Sequence, residues 1–447
     1  MSLLVQPTGP EKGADTDSPA NVRAEETSPE MAAYFSNRPL MWRNLLLITM
    51  MSIGWGIVFT VINPLMQMRM NKLGLGEAML GTLGAANSWA YSYLVMYFAW
   101  KSDHTVSRFG RRVPYLFLSA PFIIVSLFVF PFLDTLWLVA GVWILQSLFM
   151  DIKAATIPLL SIDCMPRRML ARAAIPGSIA MGILSFFALR YGMKLADLKE
   201  WAPYVIGGSI LAATTVVGGL LVREPPVQNP TTEKFKPWSA IKVACEDRRR
   251  IVLMLSVSLF QAYLTTYGTW FWLFAQNTLG MSRTVAGQAV AWSALVSILL
   301  AVPTCWLVDR VSPYRLLPVF CGLLGLHLVL VFAIHDAFTV MVAACLMAAL
   351  YPFYGAADMM IYRTADPKVV GSFTSANSCL RGLFLGGLNM GMGFLIQHTG
   401  HNYYVAFVAA YILQLLGLVA LFSYRHLMRA DATPCTPADS NVQVTAG

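Results

Sequence analysis

The chain has 447 residues, of which 57% are hydrophobic and only 12% charged, and its formal net charge is +9. Soluble globular chains carry about twice this fraction of charged residues, and the mean hydropathy here is +0.60. The composition therefore excludes an ordinary soluble domain and predicts an integral membrane protein.

Twelve apolar stretches follow one another along the chain, each long enough to cross a hydrocarbon layer of about 30 Å. Segments of this length in lipid are predicted to be helices, because a helix satisfies its own backbone hydrogen bonds. The predicted spans are 44–67, 78–100, 113–133, 136–160, 173–192, 202–222, 251–279, 284–308, 315–334, 338–362, 373–397 and 402–424. The predicted fold class is all-α integral membrane, with two six-helix halves.

The segments between the spans divide the chain further. Residues 1–40 are polar and predicted to be a disordered tail, 41–222 form the first half, 223–250 a charged linker, 251–425 the second half, and 426–447 a second tail. Both halves repeat a Trp three residues before an Asp at a helix end, at 100–103 and 306–309. Two such halves are the plan of an alternating-access transporter with a site near the midplane.

Most of the basic residues lie in loops on one side of the predicted helices, the side that also carries both termini. By the positive-inside rule both termini are predicted to be cytoplasmic, in a plasma membrane or bacterial inner membrane. The net positive charge thus reflects topology and does not indicate nucleic-acid binding. The expected partners are the lipid bilayer and a small-molecule substrate, and a monomer is expected.

The seven cysteines are scattered, with neither a disulfide framework nor metal-ligand spacing. We see no catalytic cluster and no cofactor-binding motif, so the sequence predicts a protein that is not an enzyme, with no metal and no cofactor.

A charged segment, SDHTVSRFGRRVP at 102–114, separates the second and third predicted helices. It resembles the signature loop of the major facilitator superfamily, in which an acid precedes a Gly and two basic residues. The longer form S-D-x-x-x-S-R-F-G-R-R-x-P resembles the glycoside–pentoside–hexuronide:cation symporters and the related sucrose-type carriers. The resemblance implies a twelve-helix fold and transport of a small solute by alternating access.

In that superfamily the loop acts as a latch between the halves. The resemblance implies that Asp103 faces the amino end of helix 11, near Ser372, and that the arginines pair with an acid at the end of helix 4, for which Asp163 is the candidate. The alternative is that these charges only set the topology. The predicted latch residues are Asp103, Arg108, Gly110, Arg111, Arg112, Asp163, Asp309 and Arg310.

Four charged residues fall within the predicted helices, where each needs a partner or a cavity: Asp151, Lys153, Asp358 and Arg381. Asp151 and Lys153 are two positions apart, about 200° around a helix, so they cannot share a face. The string MDIKAATIPLLSID resembles the helix 4 segment of the symporters, which implies that Asp151 couples transport to a proton or cation. A buried structural ion pair is the alternative. An Asp358–Arg381 bridge is expected, as a structural or a gating element.

The coupling ion is predicted to be a proton. Melibiose-type members of the resembling family carry an acid pair in helix 2 that builds their sodium site, whereas Tyr91 and Val95 stand there in this chain. Hard cations need several oxygen ligands, so sodium coupling is disfavoured. The modes of transport that remain are proton coupling and facilitated diffusion.

Polar and aromatic residues recur at helical spacing in helices 1, 2, 7 and 10. Amides with aromatic faces suit a sugar, whose hydroxyls need hydrogen bonds and whose C–H faces stack on rings. Simple packing is the alternative for the aromatic residues. The predicted cavity residues are Asn63, Asn87, Tyr91, Lys153, Gln261, Trp272, Tyr354, Asp358 and Arg381.

These patterns predict a secondary active transporter of a sugar or glycoside, coupled to protons. The alternative is a carrier of organic anions or amphiphilic compounds, a uniporter or antiporter that uses Lys153 and Arg381. A non-transporting sensor and a membrane enzyme were the remaining classes, and no added folded domain or catalytic cluster supports either.

Overall fold

A computed structural model describes residues 29–165, 170–225, 242, 248–311, 313–350 and 370–430. Every regular element within these ranges is helical. The long helices are α1 Arg38–Lys72, α2 Glu77–Asp103, α3 Val113–Val129, α4 Leu136–Cys164, α5 (Leu170–Phe187, Ala188–Gly192 and Met193–Leu198), α6 Ala202–Leu221, α7 Arg248–Asn277, α8 Arg283–Arg310, α9 Pro313–Phe332, α10 Ala337–Leu350, α11 Val370–His398 and α12 Tyr403–Ala430.

A helix stands at each of the twelve predicted spans, which confirms the all-α membrane class. Ten of the described helices are long and apolar enough to cross a membrane, and α10 adds a shorter apolar helix. Large apolar side chains such as Leu299, Val329 and Val419 cover their outer surface. An apolar exterior of this extent needs lipid around it.

The helices pack into two halves that meet along two helix pairs. In the first half, α6 packs on α1 and α3, and α4 packs on α2 and α3. In the second half, α10 packs on α8 and α9, and α12 packs on α7 and α9. The halves meet where α2 lies along α11 and α5 lies along α8. The α2–α11 contact is close because Gly81 lacks a side chain, and a Cβ there would lie 2.5 Å from the Asn389 backbone oxygen.

The amino-terminal tail departs from the prediction of disorder over residues 1–40. A short helix covers Pro29–Ser36, just before α1. The Tyr34 hydroxyl donates to the Arg223 backbone oxygen (2.9 Å) and accepts from the Asn44 amide (2.7 Å). These bonds tie the tail to the end of α6 and give a polar segment a reason to be ordered. Residues 1–28, 431–447 and most of the linker lie outside the described residues.

The first helix of each half is irregular at a predicted cavity residue. In α1 a π-helical turn, Val58–Ile62, precedes Asn63 and Pro64, where the proline lacks the N–H that would continue the hydrogen-bond ladder. In α7 the helix is interrupted at Gln261. Interruptions at corresponding positions of two repeats point to the binding site of a transporter.

Two ends of the bundle are distinguished below. The motif end carries the loop 104–112 between α2 and α3, and the far end carries the loops 73–76 and 399–402.

Candidate functional site

Buried polar atoms without a hydrogen-bond partner concentrate on the helices that face the other half. Such atoms are rare in folded proteins, because each forfeits its hydration without compensation. Within the described residues they include Asn63 Oδ1, Asn87 Oδ1, Gln146 Oε1 and Nε2, Asp151 Oδ2, Trp270 Nε1, Asn377 Oδ1 and Asn389 Oδ1. They come from α1, α2, α4, α7 and α11, so both halves contribute. An interior with unused donors and acceptors can bind a polar solute.

Three of the predicted residues lie together. The phenol of Tyr91 on α2 interacts electrostatically with the Asp151 carboxylate on α4 and with the Arg381 guanidinium on α11. Asp151 is buried, and its Oδ2 has no described partner. Asp151 belongs to the first half and Arg381 to the second, so the Tyr91 phenol is affected by one charge from each half.

Lys153 lies elsewhere. Its side chain is fully buried inside the first half, where Nζ donates to the Thr215 hydroxyl of α6 at 2.7 Å. The sequence placed Lys153 in the substrate cavity, and the structure corrects this position. The physical reason is the angle of about 200° between positions two apart, which turns Lys153 away from Asp151 and into the helix bundle.

We expect Lys153→Met to fold and to transport at the wild-type rate. Replacing a buried charge by an apolar side chain of similar length is often neutral or stabilising. Uptake by the variant measures this, with Lys153→Glu as the disruptive counterpart. Loss of uptake in Lys153→Met, with normal thermal stability, would indicate that Lys153 does act in the solute path.

The structure describes the predicted cavity residues of α7 but not those of α10. Gln261 lies at the interruption of α7, whereas Trp272 is buried and stacks edge-on against Phe271. Tyr263 and Tyr267 of α7 pack against His327 inside the second half, and the Tyr263 hydroxyl lies 2.8 Å from His327 Nδ1. The predictions at Tyr354 and Asp358 lie outside the described residues.

A small cavity of about 20 Å³ lies between the halves, on the far-end side of Asp151. Its lining includes two indoles, Trp143 and Trp270, together with Gln67 and Asn389. None of the described residues that line it is charged. Trp143, Gln146 and Asn389 were not selected from the sequence, since a single polar or aromatic residue in an apolar helix has no periodic pattern to mark it.

At the motif end, the structure joins the predicted arginines to Asp163. Arg111 donates to Asp163 through Nε at 3.0 Å and through Nη2 at 2.5 Å, and Arg112 Nε donates at 3.0 Å. Arg112 also bonds Asp103 at 2.5 Å. The cluster therefore connects the ends of α2, α3 and α4.

Glu224, which the sequence analysis did not select, completes this cluster. Its carboxylate accepts from the backbone N–H groups of Arg111, Arg112 and Val113 at 2.7, 2.9 and 2.9 Å. These N–H groups begin α3, where an anion is stabilised by unsatisfied donors and by the helix dipole. Burial raises the pKa of the Glu224 carboxyl group, and the three backbone donors oppose that rise. The available sequence signal for Glu224 was its position just after an apolar helix and before two prolines.

The ion pairs described for Asp103 lie within the first half. The carboxylate contacts Arg112 and, at 3.6 Å, Arg111. A contact with the amino end of α11 involves side chains outside the described set, so the inter-half latch stays a prediction. Arg108 lies over the Phe109 ring at 4.7 Å, away from the cluster. Asp309 and Arg310 end α8, and their side chains are outside the described set.

Gly110 allows the turn that presents α3 to Glu224. Its φ is +100°, and a Cβ there would lie 2.7 Å from both carboxylate oxygens of Glu224.

We expect Gly110→Ala to destabilise the protein by about 1–3 kcal/mol, because the backbone is strained and the cap is displaced. The melting temperature of the purified protein measures this. Gly141→Ala is the control, since Gly141 in α4 has open space around it, and an equal loss in both variants would contradict the explanation.

Two helical halves around a polar interior define a transporter rather than an enzyme. A sequence profile described as Major Facilitator Superfamily matches residues 45–387. The chain belongs to the Major Facilitator Superfamily.

Solved structures agree on the fold. A mutant of the nucleoside transporter NupG superposes with a TM-score of 0.70 at 13% identity, covering 86% of this chain and 99% of that chain. A bacterial homolog to the human lysosomal transporter Spinster, in an inward-facing and unoccupied conformation, gives 0.68 at 15% identity, covering 90% of this chain and 100% of that chain. A comparison with curated proteins finds no match.

Proposed function

We propose that this chain is a secondary active transporter of a neutral, polyhydroxylated solute, a sugar or a glycoside, coupled to protons through Asp151. The observation that carries this proposal is the set of partnerless neutral groups between the halves, from Asn63, Asn87, Gln146, Trp270 and Asn389. Amides and an indole offer both donors and acceptors, which is what hydroxyl groups require. The motif at 102–114 supports placement in the glycoside–cation symporter branch.

The proposed coupling uses one charge from each half, Asp151 from the first and Arg381 from the second. Asp151 binds a proton, and neutralisation removes its attraction for Arg381 on the opposite half. The halves then rearrange around the site, and the solute and the proton leave on the other side. The Tyr91 phenol lies in electrostatic range of both groups.

We also propose the orientation. The motif end, with its arginines, faces the cytoplasm of a plasma membrane or bacterial inner membrane, and both termini lie there. The protein works as a monomer, because each chain supplies both halves of the site.

Uptake into proteoliposomes tests the proposal. The panel contains mono- and disaccharides, glycosides, hexuronates and nucleosides, each with no gradient, an inward proton gradient or an inward sodium gradient. Nucleosides are included because one structural neighbour is a nucleoside transporter. Proton-driven uptake of a neutral sugar or glycoside is the expected result. Uptake confined to hexuronates would favour the anion carrier, with Arg381 as the residue that binds the carboxylate of the solute. Sodium-driven uptake would contradict the proton assignment.

A further inference from the structure

The two halves are joined at the far end by a buried carboxylate that the transport site does not use. Glu77 is the first residue of α2, and its side chain is only 2% exposed. Its Oε1 accepts from the Tyr403 hydroxyl at 2.8 Å, and its Oε2 lies 2.9 Å from His401 Nδ1. Both partners belong to the second half, so Glu77 links the halves directly.

The hydrogen bonds around Glu77 have a defined direction. The Asn277 amide donates to the Tyr403 hydroxyl at 2.9 Å and to Asn71 Oδ1 at 3.1 Å. The single hydroxyl proton of Tyr403 is therefore directed to Glu77 Oε1, which acts only as an acceptor. The contact in which a proton can be gained or lost is the one between Glu77 Oε2 and His401 Nδ1.

His401 connects this buried contact to the surface. Its side chain is 63% exposed, and its backbone adopts a left-handed conformation with φ of 62°. Histidine is the side chain whose ordinary titration falls closest to neutral pH. The ring thus contacts both the solution at the far end and a carboxylate that the solution does not reach.

The other groups near Glu77 are polar or charged, and one of them is a second exposed imidazole, His398 in the last turn of α11. From α11, Gln397 accepts from the Ala78 backbone N–H at 3.0 Å, and from α1 the nearest member of the network is Asn71. The α4 helix has no titratable residue between its start and Asp151. Charged residues of the far end, Lys72, Asp197, Glu200 and Arg283, line a separate cavity of about 370 Å³.

We propose that Glu77 and His401 form a proton-binding site that holds the far end closed, taking up one proton from solution as the two halves meet. A protonated imidazole against a carboxylate is a charge-assisted pair, whereas the separated groups of an open far end are each hydrated. The closed state therefore binds this proton more tightly, and by linkage the proton favours closure. Closure is fully favoured at acidic pH and weakens as the pH rises. This site is distinct from Asp151 and needs no solute.

A distance measurement between spin labels tests this proposal. Labels at Leu198→Cys and Phe338→Cys, both exposed at the far end of different halves, report opening in lipid nanodiscs, with the native cysteines replaced by serine. The distance distribution is recorded without solute at about pH 8 and about pH 5.5, on either side of the ordinary titration of histidine. We expect the ratio of closed to open molecules to rise about fivefold or more at the lower pH.

Two variants distinguish an effect of proton binding on closure from an effect of hydrogen bonding alone. His401→Asn keeps a donor in the place of Nδ1 and tolerates the positive φ, yet it cannot titrate. It should remain closed to the same extent at both pH values. Glu77→Gln should open the far end at both pH values.

A matched control uses another inter-half contact of the far end. Asp197 on α5 accepts from the Thr284 backbone N–H at 3.0 Å and from its hydroxyl at 2.6 Å, at the start of α8. Asp197→Asn should favour opening while the pH dependence stays. An unchanged wild-type distribution between the two pH values would overturn the proposal, as would full pH dependence in His401→Asn. Because no solute is present, either result is independent of the proposed substrate and of Asp151.

Discussion

Asp163→Asn should destabilise the protein by about 3–5 kcal/mol, the cost of removing one partner from a buried ion pair. The Asp163 side chain is 9% exposed and is the shared acceptor of Arg111 and Arg112. Without its charge, two guanidinium groups at the junction of α2, α3 and α4 keep Asp103 as their charged partner, and Arg112 keeps the Ser102 hydroxyl and the Ala99 backbone oxygen. Reversible unfolding of the purified protein in mixed micelles measures the change.

The matched control is Asp134→Asn. Asp134 also pairs with an arginine, Arg69, at 3.2 Å, but its side chain is 93% exposed. Exposed ion pairs contribute about 0–1 kcal/mol, so this variant should unfold close to the wild type. Equal destabilisation by the two substitutions would contradict the assignment of Asp163 as the centre of a buried cluster.

Asp151→Asn should abolish accumulation of solute driven by a proton gradient while leaving solute exchange intact. A gradient of one pH unit supports about tenfold accumulation if one proton accompanies each solute, since a factor of ten corresponds to about 1.4 kcal/mol. The variant has nearly the same shape but no titratable group, so its accumulation ratio should fall to about one. Counterflow of labelled against unlabelled solute measures the exchange that remains.

The control for this prediction is Asp336→Asn, at the exposed turn before α10, where the carboxylate caps Thr339. Asparagine caps helices about as well as aspartate, so accumulation should be unchanged. If Asp151→Asn still accumulates solute to the wild-type ratio, the coupling role of Asp151 is wrong.

The helices were predictable from the sequence because hydropathy is a local property. Each apolar run has to be a helix in lipid whatever its neighbours are, and the predicted spans lie within two turns of the described helix ends, except for the end of the tenth span, which lies outside the described residues. The Asp163 pairing was expected from the resemblance of the motif at 102–114 to the loop of the superfamily. The breaks at Asn63 and Gln261 were not predicted, although Pro64 marked the first as a place where a helix can be interrupted.

The contacts between distant segments were not predictable in the same way. Glu224 is separated from Gly110 by four intervening helices, α3 to α6, and nothing in its local sequence indicates which helix it caps. Helical geometry showed that Asp151 and Lys153 diverge, but the direction of each depends on how α4 is rotated against α2 and α6. The role of Glu77 could not be predicted from the sequence, because its partners lie more than 300 positions away.

Proton movement during solute entry tests the central claim, proton-coupled transport by alternating access, most directly. A pH electrode in a lightly buffered suspension of proteoliposomes records the medium as a transported sugar or glycoside is added. The account predicts that the medium becomes alkaline as solute enters, and that Asp151→Asn removes this signal. Entry of the solute at the wild-type rate with no movement of protons would contradict it.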